Sequence, residues 1–137
     1  MAIFSKRSIE KLGTCHPDLQ MIMQHAIRVM DFSILCGHRG KGEQWRLYQD
    51  GKTKLNYPNS KHNKTPSLAV DIAPYPIDWS DRKRFYYLAG VVEGIADQLL
   101  RDGVITHKIR WGGDWNRNHN FNDQTFFDLP HIELVEV

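Results

Sequence analysis

The chain has 137 residues, of which 41% are hydrophobic and 25% are charged, and its formal net charge is +2. A chain of this length and composition is typical of one folded domain with its own core, and it argues against disorder. The weak positive charge argues against the dense basic face that nucleic-acid binding needs. We therefore predict a single domain over residues 1–137 that binds no nucleic acid.

The sequence also argues against a membrane partner. No stretch approaches the roughly 20 apolar residues of a membrane span. The first ten residues, MAIFSKRSIE, contain no apolar run of signal-peptide length, so we expect no signal peptide. The two cysteines, Cys15 and Cys36, lack the CxxC spacing, and we predict two reduced thiols.

The first half of the chain contains two predicted helices and one predicted strand. Apolar residues recur at three- and four-residue steps from Pro17 to Met30, which predicts a helix with one buried face. The apolar run from Phe32 to Cys36 predicts a strand. A short helix is expected from about Glu43 to Gln49, and the polar, turn-rich residues 51–66 predict a loop.

The second half predicts the longest helix and three strands. The run Leu68 to Ala73 indicates a strand, and a helix capped by Ser80 is expected to reach Arg101. Alternation predicts a further strand over 105–111, and a last strand is expected over 131–135. Two late strands without a helix between them favour an α+β fold with antiparallel strands.

Three potential metal ligands are notable for their positions. Asp71 lies inside an apolar strand, where a buried carboxylate is costly unless it is paired or bound to a metal. His62 ends a loop that leads into this strand, and His131 begins the last strand. Two imidazoles and one carboxylate are the ligands of a catalytic zinc site. An ion pair between Asp71 and Arg39, or ordinary surface histidines, would explain the same residues.

Two short motifs carry a resemblance to a known family. The segments Ser60-Lys61-His62 and Ala69-Val70-Asp71 resemble the SxH…AxD signature of zinc peptidases that cut bacterial cell-wall peptides, and DLPHIE, residues 128–133, resembles their second signature. The segments GHR at 37–39 and RWGGDWN at 110–116 also resemble segments of the family. The family comprises D-alanyl-D-alanine carboxypeptidases and dipeptidases and phage L-alanyl-D-glutamate endopeptidases, which share the Hedgehog/DD-peptidase fold.

The resemblance implies a Hedgehog/DD-peptidase-like fold, an antiparallel sheet packed with helices in a single domain. It also implies one Zn2+ ion held by His62, Asp71 and His131. Asp128 is the implied catalytic base, which takes a proton from a water that zinc activates. Arg39 is the implied substrate or oxyanion contact. A surface-turn role for Asp128 and an ion-pair role for Arg39 stay open.

Other residues near these motifs receive weaker roles. Glu133 is expected either to hydrogen-bond to the imidazole of His131 or to face solvent. Ser60 is expected either to cap the loop or to orient His62. Trp115 is expected to line the substrate groove, together with His119. Core packing is expected for Trp111. Surface or packing roles are expected for four further histidines, His16, His25, His38 and His107.

One feature departs from the family pattern. His62 and Asp71 are nine positions apart (71 − 62), where many members have seven. The residues between them must then bulge before the strand. Thr65-Pro66 is expected to supply the bulge, because the residue before a proline favours an extended conformation.

The function predicted from the resemblance is a phage or prophage endolysin that cleaves the L-alanyl-D-glutamate bond in the peptide stem of peptidoglycan. A D-alanyl-D-alanine carboxypeptidase and a non-catalytic cell-wall-binding module are the alternatives. We expect a monomer that stays in the cytoplasm of the host bacterium and reaches the wall after holin-mediated release. Whether an additional regulatory cation binds near residues 114–123 is left open.

Overall fold

The computed structural model describes residues 2–137, which form four α-helices, one short 3-10 helix and one four-stranded sheet. None of the described helices is long and apolar enough to cross a membrane. In chain order the elements are α1 Lys6–Leu12, α2 Pro17–Ala26, β1 Phe32–Cys36, α3 Lys41–Gln49, the 3-10 helix Lys61–Asn63, β2 Ala69–Pro74, α4 Arg82–Arg101, β3 Lys108–Gly112 and β4 Asp128–Val135.

The sheet has the order β1-β2-β4-β3, and every neighbouring pair is antiparallel. This arrangement confirms the predicted α+β class with an antiparallel sheet. Strands β2 and β4 lie in the centre, and Asp71 of β2 is paired directly with His131 of β4. The register therefore places two residues that are 60 positions apart (131 − 71) side by side.

Each central strand has an apolar face and a polar face. Val70 and Ile72 of β2 and Ile132 of β4 belong to the hydrophobic core, which helices α2 and α4 complete. Because successive side chains of a strand point to opposite faces, Asp71 and His131 lie on the face away from this core. The polar face of the sheet is where the candidate site forms.

Several element boundaries differ from the predictions. Helix α2 ends at Ala26 rather than Met30, although Ile27 stays buried in the core. Helix α4 begins after Asp81, and the hydroxyl of Ser80 donates to Asp78 instead of capping the helix. The predicted cap was wrong because the helix begins at Arg82, which places Asp81 and not Ser80 at the N-cap position.

Two elements were missed or shortened by the sequence patterns. Helix α1 was not predicted, since it has seven residues and only two of them are buried. It is held to the sheet edge by Ser8, whose hydroxyl accepts a hydrogen bond from the backbone of Ile34. Strand β4 begins at Asp128, three residues earlier than predicted, which places the candidate catalytic base on a strand rather than in a turn.

Candidate active site

His62, Asp71 and His131 come together on the polar face of the sheet. The Oδ1 atom of Asp71 lies 3.2 Å from Nε2 of His62 and 3.4 Å from Nδ1 of His131. The two imidazole rings are 5.2 Å apart between centroids. His62 is 2% exposed and His131 is 8% exposed. One nitrogen of each buried ring faces the same carboxylate oxygen.

The outer nitrogen of His62, the ring nitrogen that faces away from Asp71, is held by the backbone. Its Nδ1 lies 2.8 Å from the carbonyl oxygen of Gly37. A carbonyl only accepts hydrogen bonds, so Nδ1 carries the proton and Nε2 is the nitrogen that faces Asp71. A side chain at Gly37 would clash with the Thr14 hydroxyl and the Lys11 carbonyl. The glycine therefore lets this segment lie against the end of α1, and its carbonyl oxygen orients His62.

The outer nitrogen of His131 is held by Glu133. Nε2 of His131 lies 2.8 Å from Oε1 of Glu133, which is 5% exposed. The other carboxylate oxygen of Glu133 lies 2.8 Å from Arg110 and 3.3 Å from Lys61. Burial raises the pKa of Glu133, but the contacts with His131, Arg110 and Lys61 outweigh burial and lower it to about 2. Glu133 is thus a buried, charged partner of His131 and does not face solvent.

The shared carboxylate changes the proton affinity of the whole cluster. Burial lowers the pKa of His62, but the hydrogen bond to Asp71 outweighs this and raises it to about 10. The same balance of burial and Asp71 raises the pKa of His131. Burial raises the pKa of Asp71, yet its bonds to His131 and His62 lower it well below the usual range. A divalent cation would compete with the protons on these imidazoles.

The donor set fits a zinc ion. Two imidazole nitrogens and one carboxylate oxygen, His62 Nε2, His131 Nδ1 and Asp71 Oδ1, are the ligand types of catalytic zinc sites. Metal-bound histidines characteristically donate their other nitrogen to a carbonyl or carboxylate, which both rings do here. Cys36 offers its sulfur to the opposite edge of His62, 3.9 Å from Nδ1, and so lies outside this set.

Asp128 lies beside the three candidate ligands and is open to solvent. Its Oδ2 is 4.0 Å from Nδ1 of His131, and its side chain is 41% exposed. Burial of the carboxyl group and the nearby charge of Asp71 raise the pKa of Asp128. A Cβ at Gly112 would clash with the carbonyl oxygen of Asp128, so the glycine lets β3 approach closely at this point.

Arg39 contacts the cluster from the side of β1. One guanidinium nitrogen lies 3.5 Å from Oδ2 of Asp71, and the other donates to Gln44 at 3.0 Å. The ion pair that the sequence left open is therefore present. Among residues 2–137, Nε of Arg39 is buried without a hydrogen-bond partner. The predicted role of Arg39 as a substrate contact stays a prediction.

The longer spacing before β2 is accommodated by the 3-10 helix and the segment after it. The Ser60 hydroxyl accepts a hydrogen bond from the backbone of His62, so Ser60 caps this helix and fixes the backbone that carries the ligand. Ser67 then pairs by its backbone with Thr14 and His16. The extra residues are taken up before Asp71, and His62 still reaches it.

The predicted aromatic residues separate into three places. Trp115 lines the cavity over the site, with its ring 5.6 Å from that of His131. Trp111 is 2% exposed and packs in the core, as predicted. His119 lies 3.8 Å from Glu93 of α4, outside this cavity, so its expected place in the groove was wrong.

A second group of two histidines and one aspartate lies outside this site. Asp18 accepts hydrogen bonds from the backbone and hydroxyl of Thr106 and lies 2.7 Å from Nδ1 of His107. Nδ1 of His16 accepts a hydrogen bond from the backbone of Asp18 and caps α2. Sequence patterns treated His16 and His107 as separate surface or packing residues, and they are instead joined through Asp18.

The loop after β3 holds its own polar side chains together. Asp114 is buried and accepts hydrogen bonds from the backbones of Asn118 and His119. Asp123 accepts hydrogen bonds from the side chains of Asn116 and Asn118. An additional cation in this loop stays a hypothesis raised by the sequence.

The fold and the site define a single-sheet α+β protein with a candidate metal site of the catalytic type. A sequence model of the phage L-alanyl-D-glutamate peptidase family matches residues 1–135. The chain is 31% identical over 140 aligned positions to the L-alanyl-D-glutamate peptidase of Escherichia phage T5, covering 96% of this chain and 97% of that protein. The chain belongs to the phage L-alanyl-D-glutamate peptidase family, which confirms the resemblance seen in the motifs.

Two bacterial proteins are also similar. The peptidoglycan L-alanyl-D-glutamate endopeptidase CwlK of Bacillus subtilis is 33% identical over 114 residues, which cover 77% of this chain and 62% of that protein. The crystal structure of the Serratia marcescens L-Ala D-Glu endopeptidase ChiX matches 97% of this chain and 90% of its own, with a TM-score of 0.73 and 27% identity. This likeness confirms the predicted fold.

Proposed function

We propose that this chain hydrolyses the bond between L-alanine and D-glutamate in the peptide stem of bacterial peptidoglycan, using one zinc ion held by His62, Asp71 and His131. The observation that carries the proposal is the pair of histidines whose outer nitrogens are bonded to Gly37 and Glu133 while their inner nitrogens face one carboxylate. The relatives named above, a phage protein and two bacterial proteins, support the choice of bond.

The reaction divides between the ion and the side chains around it. A zinc ion in this site would act as a Lewis acid and lower the pKa of water to roughly 7. Asp128, as a carboxylate, takes a proton from the attacking water as the new carbon–oxygen bond forms, and delivers it to the leaving amine as the carbon–nitrogen bond breaks. Its raised pKa and partial exposure suit a group that must both accept and release a proton.

Arg39 is the candidate for stabilising the negative charge that grows on the carbonyl oxygen. Its guanidinium lines the same cavity as Asp128 and is held by Gln44 and Asp71. A fixed donor costs no reorganisation when the charge develops. Glu133 and Ser60 act indirectly, since they orient the two histidines.

We further propose that the protein is a monomeric endolysin that accumulates in the host cytoplasm and acts on the wall after holin-mediated release. The support is the relative from phage T5, which spans nearly the same length.

The pocket over the site has room for a peptide segment, with a volume of about 380 Å³.

The central experiment is digestion of purified Gram-negative peptidoglycan, with product identification by mass spectrometry. We expect new amino-terminal D-glutamate and carboxyl-terminal L-alanine, no products after chelation, and recovery on adding zinc. Release of single D-alanine would instead indicate a carboxypeptidase. No cleavage by protein that binds zinc would indicate a wall-binding module, and cleavage that survives metal removal would contradict the metal mechanism.

The role of Asp128 is tested by Asp128→Asn in the same assay. We expect kcat to fall by about 10²–10⁴, the usual contribution of a positioned acid or base, with zinc still bound. Asp97→Asn is the matched control, because Asp97 is exposed and pairs with Arg101 of its own helix. Full activity of Asp128→Asn would remove this residue from the mechanism.

A further inference from the structure

The cavity over the candidate site has walls of different chemistry. Its floor is formed by the three candidate ligands and Asp128. One wall is the loop between α3 and the 3-10 helix, which contributes residues 52–55. Trp115 and Phe126 contribute aromatic rings to the lining. The cavity over the candidate site is thus bordered by a polar loop and by two aromatic rings.

Five lysine and arginine side chains line this cavity, and three of them pair with the carboxylates of Asp71 or Glu133. Arg39 pairs with Asp71, at 3.5 Å. Arg110 and Lys61 both pair with Glu133, at 2.8 Å and 3.3 Å. Each of these three residues therefore has a carboxylate partner before any substrate enters, and Arg110 and Lys61 share theirs.

Lys52 and Lys54 are the two cations of the cavity that remain. Neither has a carboxylate within 4.0 Å among the ion pairs of residues 2–137, and both are exposed. The ammonium group of Lys54 lies 4.8 Å from the centre of the Phe126 ring, which also lines the cavity. A cation–π contact therefore positions Lys54 at the cavity, and its N–H donors stay available to bind an anion.

The loop that carries Lys54 is fixed to the site. Gln44, which is fully buried, donates to the carbonyl of Leu55 and accepts from Arg39. The backbone of Leu55 also donates to the hydroxyl of Thr53. The residue after Lys54 is thus connected through one buried amide to the guanidinium that contacts Asp71, which fixes the backbone beside Lys54 relative to the site.

The substrate residue next to the cut bond supplies the matching charge. Glutamate has two carboxyl groups, and only one of them can form the amide link to the next residue of the peptide. The other is a free carboxylate unless it is capped as a carboxamide. A lysine that binds the carboxylate distinguishes the two forms, because the carboxamide has no charge and only its carbonyl oxygen can accept a hydrogen bond from the ammonium group.

We infer that Lys54, supported by Lys52, is a specificity-determining residue that binds the free carboxylate of the glutamate at the cut bond and so disfavours amidated peptide stems. This inference rests on the proposed function. Lys54 does not touch the reacting atoms, and its contribution is to the choice and placement of substrate.

The test compares two synthetic stem peptides that differ only in a free carboxylate or a carboxamide on the glutamate. Lys54→Met removes the charge and keeps the length of the side chain, and Lys54→Arg keeps the charge. Lys6→Met is the matched control, since Lys6 is an exposed lysine of α1 outside the cavity. Each protein is assayed with zinc bound, and kcat and KM are determined for both peptides at low and high salt.

We expect the unaltered protein to prefer the free carboxylate. Lys54→Met should lower kcat/KM for that peptide by about two- to fivefold, mainly through KM, and leave the carboxamide peptide unchanged, as for a partly exposed ion pair. Lys54→Arg and Lys6→Met should keep the preference, and high salt should reduce it.

Two outcomes would overturn the inference, and they differ from failure of the function. If the unaltered protein cleaves both peptides equally, or if Lys54→Met slows both by the same factor, Lys54 does not read the carboxylate. If the zinc-loaded protein cleaves neither peptide, the proposed function itself is wrong and the inference falls with it.

Discussion

Two groups in this molecule contain the same residue types, two histidines and one aspartate, and their hydrogen bonds differ. In the group of His62, Asp71 and His131, both rings place their outer nitrogens on fixed acceptors and their inner nitrogens toward Asp71. In the group of His16 and His107, Asp18 is occupied by Thr106 and His107. The first group is arranged to hold a cation, whereas the second ties the start of α2 to the segment before β3.

The tautomer of the first histidine in each group makes the difference concrete. His62 donates a hydrogen bond from Nδ1 to a carbonyl, which leaves the lone pair of Nε2 for a ligand. Nδ1 of His16 accepts a backbone proton, so a neutral His16 carries its proton on Nε2 and has no lone pair for a metal. Residue composition alone therefore does not define a metal site. The hydrogen-bond partner of each ring's second nitrogen decides whether the first nitrogen has a lone pair for a metal.

The largest effect is expected when one histidine of each group is replaced in turn. His62→Ala should lower zinc affinity and activity by more than about a hundredfold, since even residues behind a ligand contribute up to that factor. His107→Ala, in the other group, should leave both unchanged. Zinc titration and peptidoglycan digestion measure the two quantities. Equal losses in the two variants would contradict the distinction between the groups.

A smaller effect is expected from the carboxylate behind a ligand. Glu133→Gln should weaken zinc binding or activity by about 10- to 100-fold, because the glutamine cannot hold the proton of His131 as a charged acceptor. Asp18→Asn is the matched change in the other group and should leave zinc affinity as it is. Thermal unfolding of Glu133→Gln serves as the control, since Glu133 also pairs with Lys61 and Arg110.

The smallest effect on activity, and the clearest effect on stability, is expected from Asp18→Asn. Burial raises the pKa of Asp18, but the bonds from His107 and Thr106 outweigh it, so the pKa lies below its usual value. The substitution should cost about 1.5–3 kcal/mol of unfolding free energy at neutral pH, as for a hydrogen bond to a charged group.

The pH dependence of this loss has a defined sign. Because the pKa of Asp18 is lower in the folded protein, its stabilisation is fully present above the unfolded value of about 3.9 and is lost as pH falls through the folded value. The stabilities of the two proteins should therefore converge in acid. Denaturant unfolding between neutral and acidic pH tests this, and a constant difference over that range would contradict it.

Much of the fold could be predicted because its signals are local. The 3.6-residue period of α2 and α4 and the apolar runs of β1 and β2 are properties of consecutive residues. Helix α1 was missed because a seven-residue helix offers little periodicity. The early start of β4 was missed because its first residues pair with β3 through Gly112, a contact that no local pattern contains.

The candidate site divides in the same way. The sequence by itself determined the family, the candidate ligands His62, Asp71 and His131, and the candidate base, because short motifs record them. Only the tertiary structure decided that Glu133 bonds to His131, that Gly37 orients His62, and that Arg39 pairs with Asp71. These contacts depend on strand register and on the path of a loop, and both are set by packing between segments far apart in the chain.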